Sequence, residues 1–366
     1  LNVTYHIFKD FQLDTTGSSD EEIFERSGEE IRKNRYSFVS MCRPPGSEVI
    51  YTGATHGLGD LLVEFDTEKR EFASCGYAES GLWIETEHKI HKGIWFDKAE
   101  NALYFGTSTL SHIKDTVTSP GGILARYDCE KNEFSELARP TPGDFFQATG
   151  YDPERKKMYM YTMPGACFAV YDLNNKELIR YDPMQSIPHI GAIDDNGGVW
   201  GTYSANAQAF FRYNPDTDTY EFPEGCAFPD AYSAANVMYR GAGPVDSMEN
   251  GQDGYIYTAS ALGEVYRIDP GSKEVTYLGK PFTGKRLPAM DLADDGMIYL
   301  AGGSDKAPML ARYDRETRQF EFLGPVTADD GLSCYRCHEL RVVDNVAYIG
   351  ETDNPSRSGY MWACEF

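Results

Sequence analysis

The sequence predicts an all-β fold, a seven-bladed β-propeller with four-stranded antiparallel blades. Three observations predict it. One aromatic phrase ending in Asp or Asn recurs six times, a second hairpin phrase recurs seven times, and the last unit lacks an outer strand that the N-terminus can supply. Repeats of this length built from strands belong to propellers or solenoids.

The first phrase runs through an apolar stretch to Tyr, Phe or Ile and then Asp (once Asn). Its copies are 61–66 (LLVEFD), 123–128 (ILARYD), 168–172 (FAVYD), 210–214 (FFRYN), 265–269 (VYRID) and 310–314 (LARYD), with terminal residues 62, 44, 42, 55 and 45 positions apart. The second phrase is an apolar strand, an Asp- or Gly-bearing turn and a strand centred on Tyr or Trp. It appears around 49–51, 93–106, 150–161, 190–201, 253–257, 294–299 and 342–348. Asp-Gly and Asn-Gly between apolar runs are hairpin signals, so each unit reads as two hairpins. The seventh unit ends at 359–366 (GYMWACEF) with no room for its outer strand, and 3–8 (VTYHIF) can fill the gap. Pairing the termini in this way removes an exposed edge. The whole chain, 1–366, is thus expected to be one propeller domain with two insertions, 12–34 and 226–246. The first carries an acidic stretch, 18–27, that reads as a short capped helix.

Bulk properties agree. The 366 residues are 41% hydrophobic and 13% aromatic, which supports a continuous core of Tyr- and Phe-rich strands. Gly and Pro, 54 together, are spread as turn punctuation rather than gathered in a linker. A net charge of −23 argues against nucleic acid or an anionic membrane as partner, though a locally basic pocket can still take an anionic substrate. No apolar run approaches the roughly 18 residues a membrane span needs. A monomer, secreted or periplasmic with its leader removed, is the expectation for the chain as given.

The repeat also places the seven histidines. His91, His189 and His338 each lie six residues before an aspartate of the first hairpin turn of blades two, four and seven. They are expected to begin three innermost strands at one depth around the channel mouth. His56 and His112 follow the second strands of blades one and two and overhang the same face, with His88 nearby and His6 elsewhere. Imidazoles titrate near neutrality and bind metals, so such a cluster suits proton transfer or a divalent ion. Arg35, Arg286 and Arg336 precede strands of blades one, six and seven, where they could grip a carboxylate. Tyr161 is a candidate phenolic acid, set against its reading as core packing.

Eight cysteines are too sparse for a disulfide scaffold. Cys334-Tyr-Arg-Cys337-His338 spells a c-type haem attachment pattern, but His338 is already explained by the repeat. Cys334, Cys337 and His338, with Cys167, form a candidate set for zinc; otherwise the cysteines are reduced and packed between blades. No cofactor is required by the sequence, and a divalent metal (zinc, calcium or manganese) is the alternative.

The segments 89–91 (KIH), 104–107 (YFGT) with His112, 350–354 (GETDN) and 358–362 (SGYMW) resemble the seven-bladed propeller polysaccharide lyases. That group includes the ulvan and rhamnose–glucuronate lyases, with a related propeller rhamnosidase. The resemblance spans the repeat frame. It implies β-elimination on an anionic, uronic-acid-containing glycan, with His91 and His112 as the histidine pair and Tyr161 as the tyrosine. Where the family's arginine is expected, at the start of blade four, this chain has His189. The resemblance to propeller oligogalacturonate lyases implies a metal-dependent variant. A propeller rhamnosidase and a non-catalytic glycan-binding propeller are the competing functions.

Overall fold

The computed structural model describes residues 1–12, 33–111, 113–185, 190–203, 209–229 and 243–366. Seven four-stranded antiparallel sheets are present, and the fold is the seven-bladed β-propeller that the sequence predicts. Six sheets take their strands in chain order. In the seventh, Asn2–His6 lies outermost against Met361–Glu365, with Val3 opposite Cys364. The predicted insertion cores, including 18–27 and most of 226–246, lie outside the described residues. The ends of the second are in the blades: Cys226 and Phe228 are buried with Phe210 and Tyr266, and Val245 opens the innermost strand of blade five.

By contacts the chain forms two compact units. One comprises 1–146, 305–308 and 325–366, and holds blades one, two and seven; the other comprises 147–304 and 309–324, and holds the bulk of blades three to six.

The recurring Asp or Asn has a local physical cause. In all six copies its side-chain oxygen accepts the backbone N–H groups two and three residues on. Asp66 takes Glu68 and Lys69, Asp128 takes Glu130 and Lys131, and Asp172 takes Asn174 and Asn175. Asn214, Asp269 and Asp314 repeat the pattern. Four residues after each one stands a residue with positive φ: Arg70, Asn132, Lys176, Asp218, Lys273 and Arg318. A short side chain that folds the backbone onto itself, followed by one left-handed residue, reverses the chain between the two outer strands. The preceding aromatic stays in the core, as Tyr127 and Tyr213 do.

Burial follows position in the blade. The innermost strand of blade one, Ser37–Cys42, is buried at every residue, and so is that of blade three, Phe145–Asp152. The outermost strands Glu71–Ser74 and Glu133–Ala138 have no buried residue. These inner strands are buried along their whole length although they carry polar residues such as Ser37, Ser40, Gln147 and Thr149. Leu61, Leu62, Phe105 and Ile123 are completely buried in the cluster of blades one and two, each worth roughly 2–3 kcal/mol.

Candidate functional site

The segment 88–90, just ahead of blade two, is stitched on both sides. His56 N donates to His88 O and Ile90 N to Ala54 O, while His88 N and Lys89 N donate to Ser108 O. Ser40 Oγ donates to Ile90 O at 2.8 Å. A Cβ at Gly53 would stand 2.4 Å from that carbonyl, so only glycine permits so close an approach. His91 follows directly, three residues before the innermost strand Ile94–Asp97.

His338 reaches the same place from blade seven. It is the second residue of Cys337–Val343, at a register break between Cys337 and Glu339. Such a bulge re-aims one side chain out of the pleat. The Nε2 atoms of His91 and His338 lie 3.1 Å apart, with ring planes at 71°. Beside them Lys92 has a left-handed backbone (φ +37°) and a buried side chain. Its Nζ donates to His338 O at 2.6 Å and to Glu339 Oε2 at 3.2 Å. The sequence reading missed both Lys92 and the bulge. A lysine in a loop carries no local mark of burial, and a bulge depends on the partner strand.

The convergence of His91 and His338 follows from the repeat, but their equivalence of position does not. His338 is inside its strand and His91 is ahead of its own. The innermost strand of blade two has four residues and that of blade seven has seven, and the turns differ too: Asp97 caps Ala99 and Glu100, whereas blade seven reverses tightly at Asp344, with Val343 opposite Val346. In blade four the capping residue is Asp194, one before the aspartate used for counting. His112 and His189 lie outside the described residues.

The other described candidates have partners of their own. His56 is buried and stacked on Tyr36 at 4.1 Å. Its Nε2 lies 3.1 Å from Lys33 O and its Nδ1 accepts from Asp60 N, which selects the Nε2–H tautomer. Burial holds its proton affinity below the ordinary value. Tyr161 is buried among Tyr159, Phe168 and Phe211, and its hydroxyl donates to Trp200 O at 2.5 Å. Burial pushes that phenol far above its usual range, so Tyr161 sits in the structure as a core donor.

Arg35 is buried and donates to Asn354 O at 2.6 Å. Arg336 is held between Asp305 and Asp353. In the other unit Arg286 pairs with buried Asp246, Nε lying 2.9 and 2.8 Å from its two oxygens. Asp246, like His338, stands at a bulge of its innermost strand.

Among the described residues the thiols are not gathered with other ligands. Cys334 and Cys337 lie 4.0 Å apart, buried, and burial raises the Cys334 thiol well above its ordinary value. Cys167, in the other unit, donates to Gly165 O. Among the described residues no three His, Cys, Asp or Glu side chains converge as a metal would require. Zinc wants thiolates, and these surroundings favour thiols.

A different carboxylate organises the chain next to Cys337. Glu351 lies opposite Cys337 in the sheet and is fully buried. It accepts from Tyr335 N, Asn354 Nδ2, both terminal nitrogens of Arg357, Tyr360 N and Trp362 Nε1, all within 3.0 Å. The segments 350–354 and 358–362, which carry the resemblance to the lyases, are therefore joined in this structure as one buried network.

The chain matches no protein-family profile and no curated protein. Solved structures match its fold. A catalytically inactive virginiamycin B lyase from Staphylococcus aureus, solved with quinupristin, shares 10% identity over all of both chains with a TM-score of 0.63. A streptogramin B lyase shares 12% over 100% of this chain and 98% of its own, with a TM-score of 0.62. The extracellular domain of a putative one-component system from B. thetaiotaomicron shares 10% over 97% of this chain and 40% of its own, with a TM-score of 0.59. At such identities the likeness extends to the fold: this chain is a seven-bladed propeller, and its structural neighbours include lyases and extracellular domains. Among the described residues no helix is long and apolar enough to cross a membrane.

Proposed function

We propose that the chain is a carbon–oxygen lyase cleaving a uronic-acid-containing glycan, of the rhamnose–glucuronate type, by β-elimination. One observation carries this reading: the contact of His91 and His338 through Nε2. In that contact the N–H of one ring faces the lone pair of the other, so a substrate that takes the place of the contact meets one lone pair and one N–H side by side. β-Elimination needs both. The base takes the C5 proton, its electron pair forms the C4–C5 double bond, the C4–O bond breaks, and the acid protonates the departing oxygen. Neutralising the uronate carboxylate acidifies C5. The resemblance leaves that task to His189 or to an arginine of another blade. The lyases among the structural neighbours are consistent with a propeller that supports elimination, although fold alone does not specify activity. A chain acting on such a polymer works outside the cytoplasm.

The test is incubation with rhamnose–glucuronate, ulvan-type and pectic polysaccharides, reading ultraviolet absorbance and product mass together. Elimination gives an unsaturated uronate lighter by one water than the hydrolytic product. Turnover abolished in folded His91→Ala supports the assignment. Normal turnover by that variant removes it, and hydrolytic products place the chain with the propeller rhamnosidases. Binding without turnover by wild type makes it a glycan-binding propeller.

A further inference from the structure

We propose that Lys92 is the positioning residue of the histidine pair, clamping the His338 bulge so that the two imidazoles stay in contact. This deepens the reading above and rests on it only for its catalytic consequence. The geometry stands by itself. Lys92 is the chain neighbour of His91, and its ammonium bonds the backbone of the other histidine. One side chain thus ties both members of the pair.

Two features make the clamp specific. The carbonyl it holds belongs to the bulged residue, where the ladder between Cys337–Val343 and Val346–Glu351 is interrupted. The side chain is also buried, which is costly for an ammonium unless it is paired and hydrogen-bonded. Glu339 supplies the pairing at 3.2 Å, and Arg341 lies 3.4 Å from the other oxygen of Glu339. The innermost strand of blade one, Ser37–Cys42, adds no charged side chain. A solvated loop lysine would serve equally well for solubility, so this arrangement has a geometric purpose.

The experiment reads the pair directly, without substrate. In protein labelled with ¹⁵N-histidine, an N–H···N contact gives a downfield ring proton and a coupling between the two Nε2 nuclei. Wild type is expected to show both. Lys92→Met, folded by circular dichroism, is expected to lose them, and Glu339→Gln to keep them, because the amide oxygen still accepts from the ammonium. If Lys92→Met does not fold, Lys92→Arg reads the same signal, expected displaced because a planar guanidinium cannot occupy the ammonium's place. An unchanged signal in folded Lys92→Met or Lys92→Arg, or its absence in wild type, overturns the proposal. If the glycan is a substrate, Lys92→Met lowers kcat about a hundredfold, as a misplacement of about 1 Å does, with KM near wild type. A signal that depends on Lys92 in a protein without lyase activity defeats the function and leaves the clamp standing. Lyase activity with a signal indifferent to Lys92 does the reverse.

Discussion

Replacing Glu351 tests how the seventh blade is held together. Its carboxylate is fully buried and serves five groups, of which one, the Arg357 guanidinium, is charged and itself buried. Glu351→Ala leaves that cation without its partner, a loss of about 3–5 kcal/mol. It also strips the acceptor from two backbone N–H groups, the Asn354 amide and the Trp362 indole, each costing about 1–3 kcal/mol when left bare. Members of one network do not add, and water can enter the vacated space. A destabilisation of at least about 5 kcal/mol is expected, close to the whole stability of many domains. Glu351→Gln keeps the volume and one oxygen but loses the charge and turns an amide donor toward donors; about 3 kcal/mol is expected. Urea unfolding followed by tryptophan fluorescence measures it, since Trp362 lies in the network. The double variant Glu351→Met with Arg357→Met should be more stable than Glu351→Met alone, because removing both charges leaves neither bare. A loss under about 1 kcal/mol in Glu351→Gln, or a double variant worse than the single, would refute the account. Because Glu351 faces Cys337 across the sheet, the same substitution should also broaden the His338 ring signals.

Three further outcomes follow from the packing. Burial lowers the proton affinity of His56, so the unfolded chain takes up a proton first; the stability it contributes is complete above about pH 6.5 and is lost as the pH falls. The melting temperature of wild type should therefore drop more between pH 7 and pH 5 than that of His56→Gln, and parallel curves would contradict this. Tyr161→Phe should cost about 1 kcal/mol with elimination unchanged, whereas in Gly191→Ala the new Cβ would meet Tyr161 Oη at 2.1 Å and cost about 3 kcal/mol, both read by thermal melts. Burial raises the thiols of Cys334 and Cys364, so both should resist iodoacetamide in the folded protein and react fully in urea, as mass spectrometry of the alkylated chain would report.

Sequence alone determined the number of blades, the two-hairpin unit and the borrowed N-terminal strand. Those features rest on contacts two to four residues long, such as Asp66 with the amides of Glu68 and Lys69, and on side-chain alternation, so they leave a mark in every repeat. The repeat also brought His91 and His338 toward one place, because counting along identical units is a spatial measure. What it could not supply was their register. Turn length varies between blades, and a bulge such as that at His338 exists only in relation to the facing strand. Partnership was likewise invisible: Arg286 and Arg336 read as available cations until Asp246, Asp305 and Asp353 were found beside them, 40, 31 and 17 residues away. Lys92 has the same character, its acceptors lying 246 and 247 residues distant. Only the tertiary structure decided which charges are spent and which imidazoles touch. Electrostatics and hydrogen bonding act through distances of a few ångströms, and across blades those distances have no counterpart in local sequence.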